Sequence, residues 1–105
     1  MDIQYTWIDL MRYAEDNIFY PSETYRHVVL SATQHSMSDN RIQCEVFYSM
    51  ELEKCKNTAR ILKSQYESYG YYAFNIYVDG ELTYSSDKPL NFNDQNKSFR
   101  YFVET

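Results

Sequence analysis

The two histidines are the side chains in this chain best suited to acid–base, nucleophilic or metal chemistry. His27 and His35 fall on one predicted strand, and the extended backbone between them separates them by roughly 26 Å, too far to bind one metal ion together. His27 could approach Cys44 on a neighbouring strand, but the alternation of side chains places these two residues on opposite faces of the sheet. A catalytic Cys–His dyad needs hydrogen-bonding distance. We therefore predict that the chain is not an enzyme and that His27 has a polar or packing role.

Glycine-rich phosphate loops and metal-binding motifs are missing from the sequence. With two glycines in total, the chain contains no Walker loop, no dinucleotide-binding fingerprint and no zinc-protease motif. Acidic pairs such as Glu15/Asp16 and Glu51/Glu53 lack the spacing of a calcium-binding loop and are typical of a solvated face. We predict no cofactor and no bound metal.

The two cysteines indicate a reducing compartment. Cys44 and Cys55 fall in a predicted strand and a predicted helix, where a small thiol commonly packs as a buried apolar group. Two cysteines cannot build a disulfide framework or a zinc quartet. The first residues show no secretory signal pattern, and no apolar run approaches the roughly 20 residues that span a bilayer. These features predict a cytoplasmic location and no contact with a membrane.

Charge is distributed unevenly along the chain. The formal net charge is −5, of which residues 1–23 carry −4, residues 24–66 carry +2 and residues 67–105 carry −3. Direct nucleic-acid binding needs a basic footprint that neutralises phosphates, so we expect no direct contact with nucleic acid. The expected partner is a basic protein, such as a nucleic-acid-binding protein or complex.

Tyrosine is the most unusual feature of the composition. The chain has 12 tyrosines and is 18% aromatic, and tyrosine provides rigid, amphipathic contact area at protein interfaces. Tyrosines and carboxylates gather between the second predicted helix and the hairpin that follows, which predicts a partner-binding surface there. Its proposed members are Tyr66, Glu67, Tyr69, Tyr71, Tyr77, Asp79, Glu81 and Tyr84. The alternative is that these tyrosines occupy edge and turn positions, with the ring packed and the hydroxyl hydrated.

A row of aspartates in the N-terminal region is a second candidate surface. Asp2, Asp9 and Asp16 recur every seven residues, a spacing that drifts by only about 20° per step on a helix. Such a row could imitate the phosphates of a nucleic acid and bind a basic channel through Asp9 and Asp16. An ordinary solvated helix face is the other interpretation.

Hydrophobic periodicity defines the elements that must position these residues. Apolar spacing of 3–4 residues predicts helices, alternation predicts strands, and Asp79-Gly80 is a strong signal for a type I′ hairpin turn. In chain order the predicted elements are a helix over 6–18, strands over 25–34 and 42–49, a helix over 51–68, and strands over 71–78, 81–85 and 98–103. This order, α-β-β-α-β-β-β, predicts one α+β domain over residues 1–105, with an antiparallel sheet of about five strands and two helices.

These features favour a small acidic inhibitor that occludes the basic, nucleic-acid-binding surface of a partner protein. Anti-defence proteins of phages and plasmids, of the anti-CRISPR or anti-restriction type, act in this way. One alternative is a toxin immunity protein that neutralises a nuclease. Another is a small ligand-binding domain or enzyme with a pocket between the sheet and the helix over 51–68. A homodimer through the edge strand over 81–85 is a further alternative.

Overall fold

Five strands form one mixed sheet with a single described helix on one face. The computed structural model describes residues 27–39, 41–90 and 97–103, and within 97–103 only the side chain of Ser98. The elements are β1 His27–Gln34, β2 Ile42–Ser49, α1 Leu52–Tyr69, β3 Ala73–Val78, β4 Glu81–Ser85 and β5 Lys97–Val103. The spatial order of the strands is β4-β3-β1-β2-β5. The predicted α+β class is confirmed. The predicted helix over 6–18, with Asp9 and Asp16, lies outside the described residues.

One strand runs in a direction that the sequence did not predict. β1 is antiparallel to both β2 and β3, and β3 is antiparallel to β4, but β5 is parallel to β2. The sheet is therefore mixed and not antiparallel throughout. Parallel neighbours need a long crossover connection, and α1, β3 and β4 together form that connection between β2 and β5. Alternation of side chains reports which face a residue occupies and carries no information about strand direction.

The centre of the sheet, at β1 and β3, is buried on both faces. β1 is its central strand, and every residue from Val28 to Gln34 is buried, including the polar Ser31, Thr33 and Gln34. The cluster under α1 consists of Val29, Cys55, Ala59, Tyr66, Phe74, Ile76 and Val78. The cluster on the opposite face consists of Val28, Leu30, Ala32, Ile42, Cys44, Val46, Tyr48, Ala73, Tyr77 and Leu90. Cys44 and Cys55 are both fully buried and belong to different clusters, which agrees with their prediction as packed thiols.

Helix α1 packs on the sheet through the apolar stripe that its sequence predicts. Cys55, Ala59 and Tyr66 are buried on this stripe, spaced so that they share one side of the helix. The helix ends at Gly70, which has a left-handed φ of 71° that costs glycine nothing because it has no Cβ. The Gly70 N–H donates to the Glu67 carbonyl at 3.3 Å and the Tyr71 N–H to the Tyr66 carbonyl at 3.4 Å. This cap sets the direction in which the chain leaves α1 towards β3.

The β3–β4 hairpin has the turn that its sequence predicts. Asp79 and Gly80 have φ values of 47° and 90°, and positive φ at both central residues is the requirement of a type I′ turn. The register shifts between Ile76 and Tyr77, because Ile76 pairs with Tyr84 whereas Tyr77 pairs with Leu82. Thr83 is the extra residue of this bulge. Bulges on edge strands discourage pairing with other chains.

Candidate partner-binding site

The structure divides the predicted tyrosine-rich surface between the two faces of the sheet. Tyr66 is 5% exposed, and Tyr77 is 7% exposed on the face opposite α1, where the Asn75 amide donates to its hydroxyl at 3.3 Å. The alternation of β3 places Tyr77 on the face away from α1. That face is buried, however, so neither ring is available for direct contact with a partner. Tyr66 and Tyr77 therefore pack in the core beneath the surface residues around them.

Most of the remaining members lie at two opposite ends of β3, and Tyr84 on β4 pairs with Ile76 between those ends. Tyr71 precedes β3, and Asp79 and Glu81 lie at or beyond its far end, which is about 17 Å away along an extended strand of this length. The predicted surface is therefore two separate sites. The first is the tyrosine cluster, which we define as His35, Tyr66, Tyr69 and Tyr71. The second is the hairpin cavity, between α1 and the β3–β4 hairpin.

Tyr71 is the centre of the tyrosine cluster. Its ring centroid lies 4.7 Å from that of His35, 5.3 Å from that of Tyr66 and 5.7 Å from that of Tyr69. The planes of His35 and Tyr69 are inclined to it by 77° and 72°, the edge-to-face arrangement that aromatic quadrupoles favour. Tyr69 is nevertheless 63% exposed. The cluster thus holds an exposed aromatic side chain against a packed aromatic base.

A polar network under α1 fixes Tyr66, the buried residue of the cluster. The hydroxyl of Tyr66 lies 2.8 Å from Ser31 Oγ and donates to Glu45 Oε2 at 3.4 Å. Because the phenol proton is directed at Glu45, the Ser31 hydroxyl donates to the Tyr66 oxygen. Burial raises the pKa of Tyr66 well above its usual value, and the carboxylate of Glu45 raises it further. Tyr66 is therefore a neutral hydrogen-bond donor at physiological pH.

Negative potential acts on Tyr71 from two sources. Burial is the largest cause of its raised pKa, followed by the charge of Glu45 and by Tyr69. The last turn of α1 contains no basic side chain, so the negative end of the helix dipole is not compensated there. Glu67, also in this turn, forms an i,i+4 ion pair with Lys63, with Nζ and Oε1 2.9 Å apart. Glu67 is therefore partly neutralised, whereas Glu45 and the helix end are the sources of negative potential.

The hairpin cavity has a volume of about 580 Å³ and lies between the first half of α1 and the hairpin. Lys56 and Arg60, one helical turn apart, line it from α1, and Asp79 and Glu81 line it from the hairpin. Leu52, Val78, Thr83 and Tyr84 complete the lining. Cations and anions therefore line this cavity from different elements, with an apolar base.

A second cavity lies at the opposite end of α1. This helix-end cavity has a volume of about 690 Å³, and Lys63, Tyr71, Tyr72 and Lys88 are among the residues that line it. Lys88 Nζ lies 4.8 Å from the ring centroid of Tyr72, and Lys63 Nζ lies 5.6 Å from that of Tyr84. Both distances are typical of cation–π contacts. Lysines therefore already cover Tyr84 and Tyr72, which makes Tyr69 and Tyr71 the better candidates for contact with a cationic partner.

The two histidines belong to different sites, as their spacing predicts. His27 Nδ1 lies 2.6 Å from Asp79 Oδ2, whereas His35 packs on Tyr71 and its Nε2 lies 3.5 Å from Gln43 Oε1. Cys44 belongs to the cluster on the face opposite α1. In the described part of the chain, no group of three or more His, Cys, Asp or Glu side chains is placed to hold a metal ion. Among the same residues, no helix is long and apolar enough to span a bilayer.

Sequence reasoning missed His35, Lys56 and Arg60 as site residues. The i,i+4 spacing of Lys56 and Arg60 does signal a shared helix face, but only the packing of α1 against the hairpin brings that face to Asp79 and Glu81. His35 lies directly after β1, and its contact with Tyr71 follows from the antiparallel pairing of β1 with β3.

Comparison with known proteins gives no family for this chain. It matches no protein-family model, no curated protein and no solved structure at a significant level.

Proposed function

We propose that the chain is a binding protein whose tyrosine cluster docks on a basic surface of a protein partner. The observation that carries the proposal is the position of Tyr69, which is 63% exposed while its ring packs edge-on against Tyr71. Energetically dominant residues of interfaces are enriched in tyrosine. An exposed ring that is already ordered loses little conformational entropy on binding.

Charge supports a basic partner. The chain has a net charge of −5, and the cluster lies beside Glu45 and the negative end of α1. A lysine or arginine side chain of a partner would gain from cation–π contact with Tyr69 or Tyr71 in this negative potential. Among the residues whose side chains the structure describes, 27–39, 41–90 and 98, eight acidic and six basic side chains nearly cancel in charge. The attraction we propose is therefore local to the cluster, with the acidic remainder of the chain adding long-range attraction.

The partner class that best fits this chemistry is a nucleic-acid-binding protein, because such proteins carry the strongest basic surfaces. In this proposal the chain occludes that surface as an inhibitor of the anti-defence type, anti-CRISPR or anti-restriction, in the cytoplasm. Toxin immunity, in which the basic partner is a nuclease toxin, is the alternative within the same class of function. The two differ in the identity of the partner and share the same contact chemistry.

Affinity capture with matched variants tests the proposal. Tagged wild-type chain, Tyr69→Ala and Ile61→Ala would be incubated with lysate of the host at low and high salt, and the retained proteins identified. Ile61 is a suitable control because it is also on α1 and is 57% exposed. We expect a basic protein that is retained by wild type and Ile61→Ala, is lost from Tyr69→Ala, and is released by high salt.

The purified partner then permits a direct measurement of inhibition. Added wild-type chain should displace nucleic acid from the partner, and Tyr69→Ala should require a concentration at least about tenfold higher for the same displacement. Retention that is equal for Tyr69→Ala and wild type would contradict the assignment of the cluster. A retained partner that still binds nucleic acid normally would contradict the occlusion mechanism.

A further inference from the structure

The hairpin cavity is lined by charged and apolar groups that the proposed partner binding does not use. Its volume of about 580 Å³ lies within the range of roughly 300–1,000 Å³ typical of small-molecule sites. It opens beside the Asp79–Gly80 turn, at the end of β3 opposite to the tyrosine cluster. A ligand in this cavity would leave Tyr69 and Tyr71 accessible.

Two cations line the cavity from α1. Arg60 Nη2 donates to Asn57 Oδ1 at 2.8 Å, a bond that restrains the guanidinium and uses one of its five donors. Lys56 Nζ lies 3.7 Å from Glu53 Oε1, and both side chains are more than half exposed, so this pair is weak. Both cations therefore retain the capacity to bind a carboxylate, and a guanidinium can bind one through two parallel hydrogen bonds.

Two carboxylates line the cavity from the hairpin, and they differ in how they are engaged. Asp79 Oδ1 accepts the Val28 N–H at 2.9 Å, and Asp79 Oδ2 lies 2.6 Å from His27 Nδ1. Both carboxylate oxygens of Asp79 are thereby already engaged in contacts with β1. Glu81 is exposed, and within the described residues its carboxylate makes no ion pair or hydrogen bond. Glu81 is therefore the group available to a cationic part of a ligand.

An apolar base lies between these charges. Leu52 and Tyr84 are half-buried and pack against the cluster under α1, which includes Val78. A ligand that satisfies all three features carries a carboxylate, a separate ammonium group and an apolar side chain. We infer that the hairpin cavity binds an α-amino acid with an apolar side chain, its carboxylate on Arg60 and Lys56, its ammonium group on Glu81, and its side chain on Leu52, Val78 and Tyr84.

Titration with L-leucine and its blocked derivatives, followed by the NMR signals of Leu52, Val78 and Tyr84, tests this inference. N-acetyl-leucine lacks the ammonium group and leucinamide lacks the carboxylate, and each should bind about tenfold more weakly or worse, because a charge-assisted hydrogen bond is lost. Titration with leucyl-leucine distinguishes a free amino acid from a peptide N-terminus. The dipeptide has its carboxylate one residue further from the ammonium group, so it should bind more weakly than leucine if the site fits a single amino acid. Tighter binding of the dipeptide than of leucine would overturn the assignment to a free amino acid.

Variants separate the two charged contacts. Arg60→Ala should weaken leucine binding about tenfold while leaving leucinamide unchanged, whereas Glu81→Gln should weaken leucine binding while leaving N-acetyl-leucine unchanged. Lys54→Ala on the same helix and Asp87→Asn in the helix-end cavity are charge controls that should bind leucine like wild type. Tyr69→Ala should also bind leucine normally, so that failure of the partner-binding proposal and failure of this inference are distinguishable.

Three results would overturn the inference. The first is the absence of shifts at Leu52, Val78 and Tyr84 with leucine up to about 10 mM, a concentration that would reveal even binding of millimolar affinity. The second is equal binding of leucine, N-acetyl-leucine and leucinamide, which would indicate contact through the side chain alone. The third is a set of shifts confined to the helix-end cavity.

Discussion

The imidazole of His27 holds the carboxylate of Asp79, with Nδ1 and Oδ2 2.6 Å apart. His27 is the first residue of β1, and Asp79 is the first central residue of the β3–β4 turn. The other carboxylate oxygen of Asp79 accepts the Val28 N–H, and the Asp79 N–H donates to the Val28 carbonyl, both at 2.9 Å. The side chain of a turn residue thus continues the pairing between β1 and β3 beyond the last residue of β3.

Replacing Asp79 should therefore destabilise the fold more than its exposed position suggests. Asp79→Ala removes the acceptor for the Val28 N–H and places alanine, which tolerates left-handed φ less well than aspartate, at a φ of 47°. We expect the free energy of unfolding to fall by about 2 kcal/mol, from a lost hydrogen bond to a charged group and from left-handed strain. Asp79→Asn keeps an acceptor and tolerates positive φ, so its loss should be about half as large. Urea denaturation of both variants measures these values.

The control for this prediction is Asp87→Ala, because Asp87 is an exposed residue of the loop after β4, and surface substitutions usually change stability by less than about 0.5 kcal/mol. An unfolding free energy of Asp79→Ala equal to that of Asp87→Ala would show that the contact between Asp79 and β1 contributes nothing to stability.

The fold was predictable where a local signal decides the structure. Asp79-Gly80 encodes its turn because only a few residues tolerate positive φ, and the apolar stripe of α1 encodes its packed side through the helical period. The parallel direction of β5 was not predictable, because direction depends on where the long crossover returns the chain. The burial of the face opposite α1 was also not encoded, so the sequence predicts Tyr77 as a contact residue although it is buried in the cluster on that face.

The sequence predicts some residues of the candidate site but not their arrangement in space. The sequence identifies Tyr69 and Tyr71 as neighbours because one residue, Gly70, separates them at the cap of α1. It does not identify His35 as the third ring, since that contact joins residues distant along the chain. Proximity in sequence places Asp79 and Glu81 with the tyrosines, whereas β3 carries them to the opposite end of the strand.

The hydrogen bond between Ser31 and Tyr66 should be measurable as a coupling energy. Tyr66→Phe leaves the buried Ser31 hydroxyl without the oxygen that it binds at 2.8 Å, and we expect a loss of about 1–2 kcal/mol in unfolding free energy. Ser31→Ala should cost a similar amount, but the double variant should cost less than the sum, because it removes both partners. Chemical denaturation of the four proteins completes the cycle. A coupling energy near zero would contradict a direct bond between the two hydroxyls.

Stability should decrease in alkaline solution, and Tyr66 should account for part of that decrease. Burial raises the pKa of Tyr66 in the folded chain above the reference value of 10.0. The folded state therefore holds the phenol proton more tightly than the unfolded state does. The contribution to stability is complete below pH 10 and is lost as pH rises from there through the folded pKa. Tyr71 and Tyr77 have pKa values shifted in the same direction, also chiefly by burial.

The unfolding free energy of wild type should therefore fall with increasing pH above about 10. Each buried phenol that is deprotonated only in the unfolded state contributes a slope of up to roughly 1.4 kcal/mol per pH unit. Tyr66→Phe should show a shallower slope, because phenylalanine has no proton to lose. Ile61→Ala is the control, since Ile61 is 57% exposed on the same helix and has no proton to lose, and its slope should match that of wild type. Urea denaturation at pH values from about 8 to 11 provides the measurement. Equal slopes for wild type and Tyr66→Phe would mean that the pKa of Tyr66 is the same in the folded and unfolded chain, contrary to its buried position between Ser31 and Glu45.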